Sequence, residues 1–362
     1  MSLLRKLGPW VFSIAALGGC KDGTTSDDVA SMPRAEVIPN ALSLNALSLN
    51  ALSLNALSLN ALSLNALSLN ALSLNSLSLN SLSLNAVEIA SANFRGQTLS
   101  LSGSQLSVSD GRRKLSGTQL IGALLHYDML DKNGNKTAIT LRIEDVRLDP
   151  TAKSQDVWLY RVVARPDATP TAPWTTLCTD EKGNPDNAIP LAGVWDSKTG
   201  EHLDDPNGYT WGCRDFPLGK CTALGYRPWA KETQCTVTNR GLSCGEVSLR
   251  DHHQACTRMM RADYCGNGTP YTTNGTKIDL YDYLLPPINV PETDWDIEAR
   301  WTPQGALCLS EPRHPELLIR WRWPDCNGDG KIDTFKSCRD DPTLRNRGLL
   351  VTRVQEVKPP RN

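Results

Sequence analysis

Reactive side chains are densest between residues 251 and 268, in DHHQACTRMMRADYCGNG. His252 and Cys256 stand four apart, so a helix carries both on one face, and Asp263 follows two turns later. A thiol beside an imidazole that a carboxylate orients is an arrangement that generates a thiolate nucleophile. His252, His253 and Asp263 also offer the bases and acid that an envelope hydrolase would need. Against both readings, a free catalytic thiol would leave an odd number of cysteines, and a Cys–His pair one turn apart on a single helix is an unusual catalytic geometry. The chain has only five histidines and contains neither Gly-x-Ser-x-Gly nor His-Glu-x-x-His. The competing reading makes the stretch a fastened corner of scaffold, with no catalytic residue assigned.

A second constellation is DCNGDGKIDTFKSC, from Asp325 to Cys338. Asp325, Asn327, Asp329, Gly330 and Asp333 fall at positions 1, 3, 5, 6 and 9 of an EF-hand-type calcium loop, with the Lys331 carbonyl at position 7. Alternate oxygen side chains converge on one cation, and the glycine permits the sharp turn. Position 12, where a bidentate Glu belongs, is Lys336. The expectation is weak calcium binding at millimolar concentration, or a plain Asp-rich turn closed by Cys326 and Cys338. No other cofactor is expected.

The elements that must hold these residues begin with a helix. SLRDHHQACTRMMRADYC is free of Gly and Pro, with Asp251 near its N-terminus and Gly266 where a C-terminal stop belongs. On such a helix Cys256 and Cys265 sit about 13 Å apart on opposite faces, too far for a disulfide, so each needs a different partner. Tyr264 would pack inward, and Asp263 would pair at or near the surface with Arg258 and Arg261. Ten cysteines, at 178, 213, 221, 235, 244, 256, 265, 308, 326 and 338, read as five disulfides of open connectivity. Zinc is the rival, but no two cysteines show the two-residue spacing that brings neighbouring thiolates to one ion.

The oxidising compartment is read from the N-terminus. Arg5 and Lys6 precede the short apolar run PWVFSIAAL, which ends in Leu17-Gly18-Gly19-Cys20. This ending resembles a bacterial lipobox, which implies removal of residues 1–19 and an acylated Cys20 held in a lipid bilayer. An ordinary signal peptide with an incidental cysteine is the alternative. By the same analogy Lys21, in place of an acid, implies outer-membrane sorting. A net charge of −1 and a sequence pI of about 6.5 leave no footprint for nucleic acid.

Residues 20–40 read as a flexible tether, and 41–90 as a pentad repeat, in which seven ALSLN units and two SLSLN units run from Ala41 to Asn85. Leucines alternately two and three apart suit neither a long helix nor a long strand. The array fits a short β-solenoid, similar to pentapeptide-repeat proteins though with Leu where a small residue usually sits, or a low-complexity spacer. Residues 91–362 form the remaining domain. LIGALLHYDML and TAITLRIEDVRLD, separated by the turn residues DKNGN, predict a hairpin, and DVWLYRVVA a further strand. The fold class expected is α+β: a disulfide-rich, β-dominated domain with at least one helix, preceded by the pentad solenoid or spacer.

WTTLC, GYTWGC, GKCTALGYRPW, HQACTRMMRADYCGNG and WTPQGALC occur in an order that resembles the bacterial ADYC-domain family, whose tetrapeptide is here Ala262 to Cys265. The resemblance covers about Phe94 to Cys338 and implies an extracytoplasmic, cysteine-rich, often lipoprotein-borne domain without an established activity. The favoured expectation is a non-catalytic envelope lipoprotein whose disulfide-stabilised domain is held off the membrane by the repeat spacer and binds a protein or glycan partner. Ten tryptophans against four phenylalanines favour such a surface. The alternative is the hydrolase built on His252, His253 and Asp263.

Overall fold

The computed structural model describes residues 38–39, 76–80, 84–130, 136–180, 182–196, 199–238, 241–272, 276–313, 324–329, 331, 333–339 and 348–355. Cys20, its signal and the pentads before Ser76 lie outside the described residues, as does all but residues 38–39 of the tether. Among the described residues no helix is long and apolar enough to cross a membrane.

The alternating segments form strands. Leu124–Leu130 and Lys136–Leu148 pair antiparallel, as the hairpin pattern predicts, and Trp158–Pro166 joins the far side of the longer strand with a bulge between Arg161 and Val162. The sheet continues through Ala188–Ala192 and Gly208–Cys213 to Ser76–Asn80 at one end, and through Leu84–Ile89 to Phe94–Gly96 at the other. Its core contains Val87, Leu125, Leu141 and Ile143 with Tyr127, Tyr160 and Trp211. Buried hydroxyls need partners, and these have them. Tyr127 and Tyr209 share a 2.6 Å hydrogen bond, while the Tyr160 hydroxyl accepts the Leu106 N–H at 2.9 Å.

A second, five-stranded antiparallel sheet orders Ile38–Pro39, Lys277–Asp282, Leu350–Val354, Asp296–Thr302 and Gly305–Leu309. Two helices accompany the strands. Helix α1, Pro217–Ala223, starts on the proline that tolerates a first-turn position; helix α2, Arg250–Arg261, carries the reactive cluster. Met259, Met260, Tyr264, Leu280, Trp301 and Val354 form the core around α2 and the second sheet. The result is a mostly β domain with two helices and five disulfides.

The described part of the repeat consists of strands. Pentad Ser76–Asn80 is the terminal strand of the first sheet, and the last pentad contributes the start of Leu84–Ile89. Since Ile38–Pro39 pairs with Lys277–Ile278, both flanks of the array are joined to sheets.

Candidate functional site

Helix α2 ends earlier than Gly266. Ala262 adopts the left-handed conformation at φ 49°, ψ 39°, and Asp263 N–H closes back onto Arg258 O at 2.9 Å. A left-handed alanine costs about 1–2 kcal/mol, so the surroundings must hold it. They do so through the Asp263 carboxylate, which accepts from Arg258 Nη1 at 2.7 Å and from the Gly268 N–H at 3.0 Å. Arg261 Nη2 donates to Gly268 O at 2.5 Å. The expectation of a surface ion pair is therefore corrected: Arg258 and Asp263 are both buried, because the chain turns inward at Ala262. Burial lowers the Arg261 guanidinium to about 10, Asp263 opposing the shift and Arg258 adding to it.

Tyr264 then enters the core, stacked on Trp301 at 5.3 Å. Its hydroxyl donates to Glu298 Oε1 at 2.7 Å and accepts the Arg313 N–H at 3.1 Å. Arg313 grips both Glu298 oxygens at 2.6 Å each, and Thr352 donates to Oε2 at 2.7 Å. Arg313 and Glu298 side chains have no exposed surface, and the bidentate pair is supported inside the core by the Tyr264 and Thr352 hydroxyls, while Arg313 Nη1 meets no partner among the described residues. Gly266 passes so close to Gln304 that a Cβ would lie 1.8 Å from its carbonyl oxygen. The Ala262–Cys265 stretch is a structural corner.

The candidate catalytic residues are dispersed by this packing. Cys256 is bonded to Cys221, which clamps α2 to α1, and Cys265 is bonded to Cys326. The other bonds are Cys178–Cys213, Cys235–Cys244 and Cys308–Cys338, so Cys256 and Cys265 have different partners, as expected, although the helix stops before Cys265. His253 Nε2 sits 3.0 Å from Leu218 O and 3.2 Å from Thr222 Oγ1, with its ring edge against Trp195. His252 stacks on Tyr226 at 6.3 Å, and its nitrogens meet no side-chain partner. Burial lowers both imidazoles to about 4. His252, His253 and Asp263 thus face three different sets of neighbours.

In the Asp325 loop, side-chain oxygens turn onto their own backbone. Asp325 accepts from Gly328 N–H at 2.8 Å, Asn327 from Asp329 N–H at 3.0 Å, Asp329 from Lys331 N–H at 2.8 Å, and Asp333 from Cys326 N–H at 2.6 Å. The Asn327 and Asp329 bonds are successive Asx turns, and Asp333 ties the end of the loop back to its start. Gly330 and Ile332 lie outside the described residues. Among the described residues no cluster of three or more His, Cys, Asp or Glu side chains could hold a metal ion.

A cleft that sequence reasoning missed lies beside the N-terminus of α2. It encloses about 690 Å³ and is lined by Leu101, Asp205, Asn207, Tyr209, Trp229 and Arg250, among others. A smaller hollow of about 240 Å³ shares His202 and Arg250 with it. His202 Nδ1 accepts from Arg250 Nε at 3.2 Å, and its Nε2 lies 3.3 Å from Ala192 O, which fixes the proton on Nε2. Burial and the Arg250 charge lower this imidazole, and the ring lies against Trp195 at 4.2 Å. Arg250 in turn is paired with Asp204. Gly193 is required here, because a Cβ would meet His202 Nε2 at 2.2 Å. Both imidazole nitrogens of His202 are thus engaged by the protein itself. In the sequence the cleft's only sign is a histidine in EHLDDPNGYTWGC, where Asp, Pro, Asn and Gly read as a turn.

No curated protein and no solved structure matches the chain. The family profile of the ADYC domain matches residues 117–315. That span exceeds half of the chain and holds both helices, the His202 cleft residues of the loop before Gly208, and the buried corner from Ala262 to Cys265. The chain belongs to the ADYC domain family.

Proposed function

We propose that this is a non-catalytic bacterial envelope lipoprotein, anchored in the outer membrane through acylated Cys20, whose disulfide-fastened domain binds a protein or glycan partner in the cleft around His202, Arg250 and Trp229. The observation that carries the reading is the use made of the reactive residues: Cys256 is spent in a disulfide, Asp263 in holding a left-handed alanine, and His253 in joining α2 to α1. The hydrolase reading on His252, His253 and Asp263 needs convergence, and these residues have separate neighbours. By contrast the cleft pairs a half-buried indole with an arginine, acids and an amide, the mixture that polar ligands select.

The pentad array, a solenoid or a plain loop, is joined to sheets at both flanks, so distance from the membrane falls to residues 20–37. Those residues span about 60 Å when fully extended. A Cys20→Ser variant tests the anchor: it should leave the membrane fraction, and unchanged retention refutes lipidation. The same soluble protein should capture ligands from glycan and envelope-protein arrays, with Trp229→Ala and Arg250→Ala abolishing capture. Binding that survives both substitutions would remove the cleft from the proposal.

A further inference from the structure

The strand Ser76–Asn80 has a defined seat although its sequence is one of nine near-copies. It lies antiparallel to Gly208–Cys213, with Leu77 opposite Trp211, Ser78 opposite Thr210, Leu79 opposite Tyr209 and Asn80 opposite Gly208. It is the end strand of the sheet order. Ladder bonds come from the backbone, so what fixes a strand in place is the side-chain register. A slip of one residue would turn every side chain to the other face. A slip of five residues would not: it sets Leu72, Ser73, Leu74 and Asn75 where Leu77, Ser78, Leu79 and Asn80 stood, and replaces only Ser76 by Ala71.

We propose that the edge of Gly208–Cys213 now covered by Ser76–Asn80 is a docking groove for the pentad as a unit, filled from the same chain, with Ala71–Asn75 as the occupant whenever Ser76–Asn80 leaves. The inference deepens the reading of the array as a segment held at both flanks. Its energetic basis is the connection to the next strand. In the seated register residues 81–83 bridge to Leu84; after a slip, residues 76–83 do. Closure probability falls with roughly the 3/2 power of loop length, so growth from three to eight residues makes the slipped register about four-fold rarer. Redundant donors keep the edge covered, and an uncovered edge is a template for pairing with other chains. Copy number can then change by whole pentads without exposing it.

Hydrogen exchange of the Gly208–Cys213 amides in the full mature chain tests this. Leu77→Pro with Ser78→Pro unseats the resident pentad, because adjacent residues of an edge strand alternate in aiming their N–H at the partner, so one of the two prolines removes a ladder donor. Protection should fall only about four-fold, as Ala71–Asn75 takes the place. The same double variant with residues 41–75 replaced by a Gly-Ser linker of equal length should lose protection, and the synthetic peptide ALSLNALSLN should restore it. Three results each overturn the proposal: complete loss of protection in the first variant, retained protection in the second, or equal restoration by a peptide of scrambled order. The readout does not depend on Cys20, so it can fail while membrane anchoring stands, and the converse.

Discussion

Acidification tests the packing of α2 most directly. In the folded chain burial lowers His252 and His253 to about 4, whereas an unfolded histidine titrates near 6.5. The unfolded chain therefore takes up protons that the folded chain refuses, and stability drops as pH falls from 6.5 towards 4. Above pH 6.5 the contribution is fully present. At pH 5.5 each ring has lost about 1.4 kcal/mol, so the pair has lost about 3 kcal/mol; at pH 4.5 the pair has lost about 5 kcal/mol. The surroundings explain why neither ring is rescued. Asp251 favours the charged form of His252, but burial outweighs it, and His253 has the Leu218 carbonyl in its favour against burial and His202. His202 is lowered as well and deepens the loss in the same direction. Urea unfolding at pH 7.5 and 5.5, wild type against His252→Phe/His253→Gln, isolates the pair. Phenylalanine keeps the stacking on Tyr226 without a titrating group. Wild type should lose about 3 kcal/mol more than the variant over this interval. Identical pH dependence at equal m-values, or His252 and His253 ring resonances that titrate near 6.5 in the folded protein, would refute the reasoning.

Three further outcomes are expected. Gly266→Ala, at φ +67° with its Cβ driven onto the Gln304 carbonyl, should cost roughly 3 kcal/mol or more in thermal or urea unfolding, against about 1–2 kcal/mol of backbone strain alone for Gly111→Ala, where φ is also positive but nothing lies within 4 Å. Arg313→Met strands Glu298 in the core and should cost about 3–5 kcal/mol, while adding Glu298→Gln should recover part of that loss, measured as a double-mutant cycle. Because the side-chain oxygens of the Asp325–Asp333 loop are turned onto their own backbone, melts with millimolar calcium and with chelator should coincide, and a rise in stability of about 1.4 kcal/mol at ten times the dissociation constant that Asp329→Ala erases would show a weak calcium loop instead.

Features set by local pattern were readable from the sequence, and features set by long-range contact were not. Period-two apolar runs announced the strands around Leu124–Leu148, and even cysteine parity announced five bonds. Helix α2 was legible from its uninterrupted run, but its end was not. Glycine is the usual sign of a left-handed stop, and here alanine takes that role because Asp263 is held by Arg258 and by the Gly268 amide. Likewise Glu298 and Arg313 carry no mark of their pairing, since the partners are brought together by the sheet and the Tyr264 insertion. The His202 cleft depends on Arg250, 48 residues away, reaching a loop that reads as a turn. For the pentads, judging the array over its full length hid the fact that Leu-Ser-Leu alone alternates well enough for a five-residue edge strand.

The connectivity of the cysteines dictates how the chain must mature. If thiols were joined in the order in which they emerge, Cys178 would find Cys213 correctly, but Cys221 would be captured by Cys235, Cys244 by Cys256, Cys265 by Cys308 and Cys326 by Cys338. Three of the native bonds, Cys221–Cys256, Cys265–Cys326 and Cys308–Cys338, each reach past at least one intervening cysteine. Only the closing of α2 against α1 and of the Ala262 corner against the Asp325 loop selects those partners. Thiolate attack on a mispaired bond is the chemistry that lets the selection act, so a chain mispaired on the way needs reshuffling as well as oxidation to reach this connectivity. A host strain with a strong oxidase and no isomerase should accumulate full-length but mispaired chains.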